Sequence, residues 1–441
     1  MKILVALVIL IAAMIIGIPV PLAFLLSATQ LCVVNGTNTQ MLLSYGYKSV
    51  NSVLLLTIPL FVLAGSLINN GGLGEKLCGA VERTRLGKVK GGLGIVSVVA
   101  CAVFGAVSGS SSATLSCVGS IMTPKMKEAG YSDGLVGSLL ASSGVLGILI
   151  PPSMIMILYA WASNASVLGC FLATILPGIL LVILLSLVNC YLYKRNQKDG
   201  TMTLTDAILE SAKLKERAKQ QNKEKETSAV PALIMPLIIL GSIYGGFLTA
   251  TEAAALSVFY AIPVGIFYYK RINWSTYKKA MIDAGKTAGV IMTMLFCVQI
   301  LSRLYITENL PNTILSVLTA ISSNKVVILL MLNLFMVVMG MLMDDTSCTI
   351  LLTPILLPVA TSLGLSPFHF AAILGVNIGM GNITPPTAPL LYLSGRITGA
   401  QVKDMLKPTL LMICFAWLPT LILTTYCPIF SEILPRLLGY L

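Results

Sequence analysis

The chain has 441 residues, of which 56% are hydrophobic and only 10% charged, and its mean hydropathy is +0.90. This combination excludes the classes of soluble globular protein, because none joins so large an apolar share to so little charge. The net charge of +12 would suit a nucleic-acid-binding protein, but the basic residues lie in short loops between apolar runs and are better explained as topology signals.

Apolar runs of membrane length recur along the whole sequence, and roughly 20 apolar residues suffice to cross a bilayer as a helix. The runs cover residues 3–31, 52–74, 91–107, 135–160, 167–193, 230–269, 287–306, 326–343, 348–363, 368–393 and 408–430. We therefore expect an all-α polytopic membrane protein. The first run is expected to be a retained span, since its sequence continues past Ile-Gly-Ile-Pro at 16–19 without a small-residue cleavage site.

Two of the runs are interrupted by a Gly-rich turn and a Pro-Pro pair, in SGVLGILIPPSM (143–154) and VNIGMGNITPPTAP (376–389). Proline removes a helical hydrogen bond and leaves a carbonyl free, and such backbone survives in hydrocarbon only against protein or a wet cavity. Pro152 and Pro386 are therefore expected to have structural roles, each completing a break. Two interrupted helices at matching positions of two halves are typical of a secondary transporter's binding site.

An internal repeat relates the two breaks, because the Pro pairs lie 234 residues apart (385 − 151 = 234). The same offset aligns other Gly, Pro and polar positions without a gap: Pro124 with Pro358, Gly130 with Gly364, Ser132 with Ser366, Leu140 with Leu374 and Gly147 with Gly381. Coincidences are common in apolar sequence, but Gly and Pro at one fixed offset indicate a repeat.

The charges indicate that the repeats are inverted. The basic segment 83–90 maps onto the uncharged segment 317–324, and the basic segment 270–286 maps onto 36–52, which carries only Lys48. Because basic loops stay cytoplasmic, matching loops should face opposite sides of the membrane.

A path that fits this rule starts with a cytoplasmic N-terminus and crosses once through the run 3–31 to an outer segment, 36–52. Re-entrant hairpins are predicted at about 91–124, from the inside, and at about 326–358, from the outside. The broken helices are 135–160 and 368–393, and an extra span in 230–269 inverts the second repeat. The chain then ends periplasmically, and 24 of the 29 basic residues lie inside.

The predicted domain organisation is a first inverted repeat (1–193), a cytoplasmic linker (194–229), and the extra span with the second repeat (230–441). The linker holds nine basic and six acidic residues between 194 and 226. Residues 206–226 could form a charged surface helix, although a solvated linker is the simpler interpretation. The amphipathic stretches 36–52 and 270–286 are expected to belong to a scaffold.

The tip of the first hairpin is predicted at the small residues SGSSS, 108–112. Small residues permit close backbone approach, and hydroxyls and carbonyls are hard oxygen ligands. Ser110, Ser111 and Ser112 are therefore candidates for binding substrate. The alternative is ordinary small-residue helix packing.

The second hairpin carries Asp344 and Asp345, which the 234-residue offset aligns with Ser110 and Ser111. An acidic pair amid apolar spans is costly and indicates function. The pair could ligate a cation, carry a proton, or cap the following helix.

Arg396, just past the second broken helix, could bind an anionic substrate through its positive charge. The simpler interpretation is that it is one of the basic residues that keep a loop on the cytoplasmic side. Asn377, Asn382 and Thr384, near the break, offer polar contacts without buried charge. Elsewhere, Thr249 and Glu252 have the spacing of a structural capping box at the start of a span.

Several segments together resemble the large membrane subunit of tripartite ATP-independent periplasmic (TRAP) transporters: FGAVSGSSSAT, MTPKMKEAGY, GILIPPSMIMILYA, GGFLTATEAAA and NIGMGNITPP. The resemblance runs over essentially the whole chain. It implies an elevator-type transporter of the bacterial inner membrane in which sodium drives uptake of an organic acid anion, such as a C4-dicarboxylate or sialic acid. It also implies a periplasmic substrate-binding protein and a small four-helix membrane subunit, expected here as a separate polypeptide.

The resemblance further implies two sodium sites, built largely from backbone carbonyls, and no cofactor. One would use Ser108, Gly144, Val145, Ile148 and Pro151; the other would use Asp344, Asp345, Thr346, Gly379, Asn382 and Pro385. Oxygen-only ligands suit sodium. The ten cysteines without CxxC spacing and the single histidine argue against a redox metal.

Two competing functions remain. One is a sodium symporter or ion exchanger that transports an anion without any binding protein. The other is an intramembrane hydrolase that uses Asp344 and Asp345, which is disfavoured because adjacent aspartates on one segment cannot flank a substrate from facing helices.

Overall fold

A computed structural model of the protein describes residues 2–198 and 228–441, and every regular element within these ranges is helical. Seven of the described helices are long and apolar enough to cross a membrane, or eight spans if one bent pair counts as a single span. The chain is therefore a multi-pass helical membrane protein, as predicted. The predicted surface helix 206–226 and most of the linker 194–229 lie outside the described residues.

The first half folds into helices joined by short turns. They are α1 (Lys2–Ile15), α2 (Val20–Asn35), α3 (Thr39–Val50), α4 (Thr57–Asn70), α5 (Leu73–Glu82), α6 (Gly92–Ser108), α7 (Ser111–Glu128), α8 (Asp133–Gly144), α9 (Leu146–Leu149), α10 (Met154–Ser163) and α11 (Val167–Lys198). A left-handed Gly109 ends α6, and the Ser110 side chain accepts from the Ala113 amide to begin α7. The chain thus reverses at the predicted tip.

The second half follows the same order. Its helices are α12 (Val230–Tyr244), α13 (Ala250–Pro263), α14 (Trp274–Thr307), α15 (Leu310–Ile321), α16 (Lys325–Leu342), α17 (Asp345–Ser362), α18 (Pro367–Gly381), α19 (Pro389–Thr398), α20 (Val402–Met412), α21 (Leu418–Tyr426) and α22 (Pro428–Leu437). One π-helical turn, Val264–Tyr268, extends α13, and another, Ile413–Trp417, joins α20 to α21. The starts of α7 and α17 differ by 234 residues, as do those of α8 and α18.

The prediction that the run 3–31 crosses the membrane once is wrong. Gly17 adopts a left-handed conformation and Pro19 caps α2, so the chain turns back on itself. Lys2 Nζ donates to Asn35 Oδ1 at 2.9 Å, which places the start of α1 beside the end of α2. A cytoplasmic N-terminus and an outer segment 36–52 are therefore incompatible, because both lie at the same end of this helix pair.

The second half begins with the same arrangement. The Tyr260 hydroxyl on α13 donates to the Pro231 carbonyl on α12 at 2.8 Å, so these helices are also antiparallel. A pair of helices thus precedes the rest of each half, and the predicted extra span is not particular to the second half.

The amphipathic stretch 270–286 was expected to be a separate element, and this prediction is wrong. It forms the beginning of α14, a continuous helix of 34 residues that the Asn273 side chain caps by accepting from the Thr276 amide at 2.8 Å. At 1.5 Å per residue the helix is about 51 Å long, well beyond a hydrocarbon core of about 30 Å. The stretch 36–52, by contrast, contains the separate short helix α3.

The core of the protein is formed by the two interrupted helices. All residues from Gly134 to Leu149 and from Phe368 to Ile383 are buried, as expected of helices that are mostly apolar on every side. The helices α1, α2 and α16 instead expose large apolar side chains on one face, as expected of helices that face lipid.

Candidate functional site

The first break separates α8 and α9 from α10, and the two parts are bent by 44°. The peptide bond between Pro151 and Pro152 is cis. The Ser153 hydroxyl donates to the Ile148 carbonyl at 2.7 Å and accepts from the Met156 amide at 3.4 Å, so it satisfies one helix end and begins the next. The predicted broken helix 135–160 is confirmed.

The tip of the hairpin α6–α7 lies on this break. The carbonyl of Gly109 accepts the Met154 amide at 3.1 Å. A Cβ at Gly105 would lie 2.7 Å from Gly147 Cα, so the helices pack backbone against backbone. Glycine is required here because any side chain would push the tip off the break.

The second break lies between α18 and α19 and carries a second cis bond, Pro385–Pro386. The Thr387 hydroxyl donates to the Met341 carbonyl at the end of α16. A Cβ at Gly381 would lie 2.7 Å from Gly340 Cα, which repeats the glycine contact of the first half. Each break therefore has its own hairpin, at the tips that the sequence predicts.

The two halves meet at their hairpin tips. The Ser111 hydroxyl donates to Asp345 Oδ2, and these two residues are related by the 234-residue offset. Nearby, a Cβ at Gly379 would lie 2.5 Å from Val145 Cγ1, so the two breaks also cross. Val145 and Gly379, which the family resemblance implies in separate sodium sites, are thus close to each other.

The acidic pair has divided roles. Asp344 caps α17 by accepting from the amides of Thr346, at 3.1 Å, and Ser347, at 3.3 Å. The capping alternative is therefore confirmed for Asp344. Asp345 instead turns toward the first hairpin, and its cation-binding role remains a prediction.

Several buried polar side chains near the breaks have no hydrogen-bond partner among the described residues. Both amide atoms of Asn382 are of this kind although the residue is only 1% exposed, and so are the hydroxyls of Ser142 and Ser143. A buried polar atom without a partner costs free energy, so such atoms indicate bound water or an ion. Sequence reasoning missed the two serines because serine in a membrane helix usually bonds to its own backbone.

Other predicted residues bond to the protein itself. The Ser108 hydroxyl pairs with that of Thr114 at 2.9 Å. Asn377 Nδ2 donates to Asn333 Oδ1 at 2.9 Å, and the Thr384 hydroxyl donates to the Met380 carbonyl at 2.6 Å. The first two bonds join neighbouring helices and the third closes the end of α18, and a substrate role for Asn377 and Thr384 remains a prediction.

Arg396 is not brought to the first hairpin tip. It is exposed on α19, and its neighbour Ile397 contacts the position of Gly119, eight residues along α7 from Ser111. Eight residues of helix correspond to about 12 Å. A direct contact of Arg396 with a ligand held at Ser110–Ser112 is therefore not supported by this arrangement.

A cavity of about 290 Å³ lies beside the first hairpin tip, between α6, α7, α4 and α14. Its polar lining comes from the tip and from two other helices: Ser108, Ser110, Ser112, Ser116, Ser66, Asn69, Asp283 and Thr287. Asn69, Asp283 and Thr287 were not predicted, because nothing in the sequence indicates that α4 and α14 approach the tip. Among the described residues, no basic side chain lines this cavity.

The capping box at the start of α13 is confirmed. The Glu252 carboxylate accepts from the Thr249 amide at 2.8 Å, and the Thr249 hydroxyl accepts from the Glu252 amide at 3.3 Å. Both residues therefore have a structural role.

Comparison with curated proteins shows relatives along nearly the whole chain. It is 34% identical over 387 residues to the C4-dicarboxylate TRAP transporter large permease protein DctM of Pseudomonas aeruginosa, and the match covers 87% of each chain. It is 30% identical over 416 residues to the isethionate TRAP transporter permease protein DctMQ of Oleidesulfovibrio alaskensis. That match covers 94% of this chain but 63% of the relative, so the chain spans less than two thirds of that protein's length.

Among solved structures, the fold resembles that of the Alcanivorax borkumensis YdaH transporter. The TM-score is 0.62 at 14% sequence identity, with 87% of this chain and 86% of the other covered, so the likeness concerns the fold. The family model of the tripartite ATP-independent periplasmic transporter DctM component matches residues 5–430. The chain is therefore a transporter permease rather than an enzyme, and it belongs to the DctM family of tripartite ATP-independent periplasmic transporters.

Proposed function

We propose that this protein carries an organic acid anion across the bacterial inner membrane, driven by sodium and by an elevator motion. The observation that carries the proposal is the pair of hairpin tips, each seated on a proline break and joined to each other by Ser111 and Asp345. Such irregular backbone at membrane depth is typical of the ion and substrate sites of secondary transporters.

Sodium would bind where the hairpins meet the breaks. The candidates in the first half are Ser108, Gly144, Val145, Ile148 and Pro151, and those in the second half are Asp344, Asp345, Thr346, Gly379, Asn382 and Pro385. The unpartnered amide of Asn382 and the hydroxyls of Ser142 and Ser143 support this assignment, because buried oxygen donors suit a hard cation.

The substrate would bind in the cavity beside the first tip, in contact with Ser110, Ser112 and Asn69. No described basic side chain lines this cavity, and Asp283 adds a carboxylate to its wall. The anion's charge would therefore be met by the N-terminus of α7 and by bound sodium. This arrangement makes substrate binding depend on sodium. The names of the relatives support a small carboxylate or sulfonate.

The helix pairs at the start of each half support a revised topology. We place the N-terminus outside, beside the segment 36–52, instead of inside. Crossings by α1, α2, α4, the broken helix α8–α10 and α11 then bring the linker 194–229 inside, and five equivalent crossings return the C-terminus outside. Moving Lys2 leaves 23 of the 29 basic residues inside (24 − 1 = 23), so the charge rule still holds.

The two hairpins and two broken helices would form the moving transport domain, and α1–α4 with α12–α14 the scaffold. Coupling requires that sodium and the anion stabilise the same closed arrangement of a hairpin on its break. A periplasmic binding protein and a small four-helix membrane subunit would complete the transporter.

Uptake by proteoliposomes tests this function. With the small subunit and the binding protein present, an inward sodium gradient should drive accumulation of a C4-dicarboxylate or another carboxylate, and collapsing the gradient should abolish it. Full uptake in the absence of the binding protein would instead favour an independent anion symporter.

A substitution in the cavity tests where the substrate binds. Ser112→Val should raise the KM for uptake by roughly tenfold, because it removes a hydroxyl and adds bulk at the cavity wall. Ser120→Ala, on α7 but outside the cavity, is the matched control. An unchanged KM in Ser112→Val would show that the substrate does not bind in this cavity.

A further inference from the structure

A second polar cavity, of about 480 Å³, lies far along the chain from the hairpin tips, between the starts of α16 and α18 and the C-terminal helix α22. Its polar lining includes Lys325, Ser366, His369, Tyr426, Glu432 and Arg436. None of these residues belongs to the proposed transport site, so the cavity needs a separate explanation.

The cavity lies at the ends of two candidate spans. Lys325 is the first residue of one, Lys325–Leu342, and Tyr426 is the last residue of the other, Val402–Tyr426. The Tyr426 hydroxyl donates to the Val326 carbonyl at 3.0 Å and ties the two ends together. Ends of spans that carry Lys and Tyr lie at the boundary between hydrocarbon and headgroups.

The lining carries two basic side chains and a buried carboxylate, and Leu441, the last residue of the sequence, also lines the cavity. Glu432 is buried, accepts from the Ser366 hydroxyl at 2.5 Å, and pairs with Arg436 at 2.6 Å. The Arg436 side chain remains 65% exposed, and a guanidinium has five donors, so it can bind a further anion. Lys325 is also exposed, so the cavity has two accessible basic side chains, whereas the Glu432 carboxylate is already paired with Arg436.

An apolar track begins at the cavity. Val326 lines the cavity, and exposed apolar side chains follow it at every fourth residue along α16: Leu330, Leu334, Val338 and Leu342. Residues at this spacing form one continuous face of a helix. Exposed apolar residues also lie on α22, beside Arg436: Ile429, Ile433 and Leu437.

We propose that this cavity binds the phosphate of an anionic phospholipid, with an acyl chain lying along the exposed face of α16. Lys325 and Arg436 bind the phosphate, and Glu432 holds Arg436 in place. The position at the headgroup boundary and the adjoining apolar track favour a lipid over a soluble anion. The two exposed basic side chains favour an anionic over a zwitterionic headgroup.

Lipid binding by the purified full chain in detergent tests the proposal, through thermal unfolding and native mass spectrometry. Phosphatidylglycerol should stabilise the protein at a several-fold lower concentration than phosphatidylcholine. Lys325→Gln and Arg436→Gln should each weaken phosphatidylglycerol binding about fivefold, since each removes one basic charge near the surface.

Arg436→Lys and Lys48→Gln are the controls. Arg436→Lys keeps the charge and should restore much of the binding, which separates loss of charge from damage to the fold around Glu432. Lys48 is an exposed lysine on α3, and Lys48→Gln should bind as the wild type does. Equal binding by wild type and Lys325→Gln, or equal stabilisation by inorganic phosphate alone, would overturn the assignment to a lipid.

Discussion

The two proline breaks share a Gly-rich turn and a Pro-Pro pair, but they differ in the helices that cover them. Pro151, Pro152 and Ser153 are all buried, and α11 packs against α9 directly beside them. In the second break Pro386 and Thr387 are exposed, and Thr387 lines a cavity of about 460 Å³ shared with α1. Matching hairpin contacts therefore coexist with unequal surroundings. The glycine contacts hold each hairpin tip on its break, and the neighbouring helices determine how accessible each break is.

The glycine contacts should give the largest effects on transport. Gly147→Val would place atoms within about 2.6 Å of the Ser110 carbonyl, and Gly381→Val would do the same to the Gly340 backbone. Each should lower uptake roughly 100-fold, because overpacking of about 3 kcal/mol unseats a hairpin. Both variants should also lower the Tm, and Gly147→Val should lower it more, since the surroundings of the first break are buried. Gly241→Val, at a position without neighbours within 4 Å, is the control in both uptake and unfolding assays.

Accessibility should differ between the breaks by more than tenfold in labelling rate, because burial excludes reagent and solvent alike. After the exposed Cys414 and Cys427 are replaced by serine, Thr387→Cys should react with a maleimide and Ser153→Cys should not. Equal labelling would show that the first break opens as readily as the second, and the contrast between them would be lost.

The acidic pair should show a smaller, selective effect. Asp345→Asn should reduce sodium-dependent uptake about tenfold, since it removes the charge that faces Ser111. Asp344→Asn should retain more activity than Asp345→Asn, because asparagine keeps the helix cap and still offers a side-chain oxygen to sodium. Uptake measured against sodium concentration distinguishes the two variants. An unchanged sodium dependence in Asp345→Asn would remove this carboxylate from the ion site.

The smallest effect concerns a residue outside both breaks. Thr249→Ala should lower the free energy of unfolding by about 1 kcal/mol, because it removes the cap of α13, and should leave the KM unchanged. Thermal unfolding and uptake by the same preparation measure both quantities. A changed KM would mean that the scaffold helix influences the site.

Much of the architecture could be predicted because Gly and Pro act locally. The hairpin tips at Gly109 and Asp344 and both breaks follow from residues that cannot continue a membrane helix. The reversal at Gly17 was missed because the sequence is apolar on both sides of it, so composition predicted a single span over 3–31. The continuity of α14 was missed for the opposite reason, since its polar beginning resembles a separate surface helix.

The candidate site was only partly predictable because its walls come from distant parts of the chain. Ser110 and Ser112 were identified from their unusual sequence, but Asn69, Asp283 and Thr287 lie on ordinary helical segments. Arg396 shows the converse case: it is close in sequence to the second break and lies away from the first hairpin tip, and its substrate role stays a prediction. Placement of these residues depends on how helices cross, which local pattern does not encode.

The bond between Ser111 and Asp345 has a consequence for the origin of the protein. A position that touches its own counterpart would, in an ancestor assembled from two identical chains, have faced an identical side chain. Two aspartates there would repel each other, and two serines would carry no charge. The mixed pair is open only to halves whose sequences can diverge from each other. Divergence of the two repeats therefore permits a single carboxylate where their hairpin tips meet.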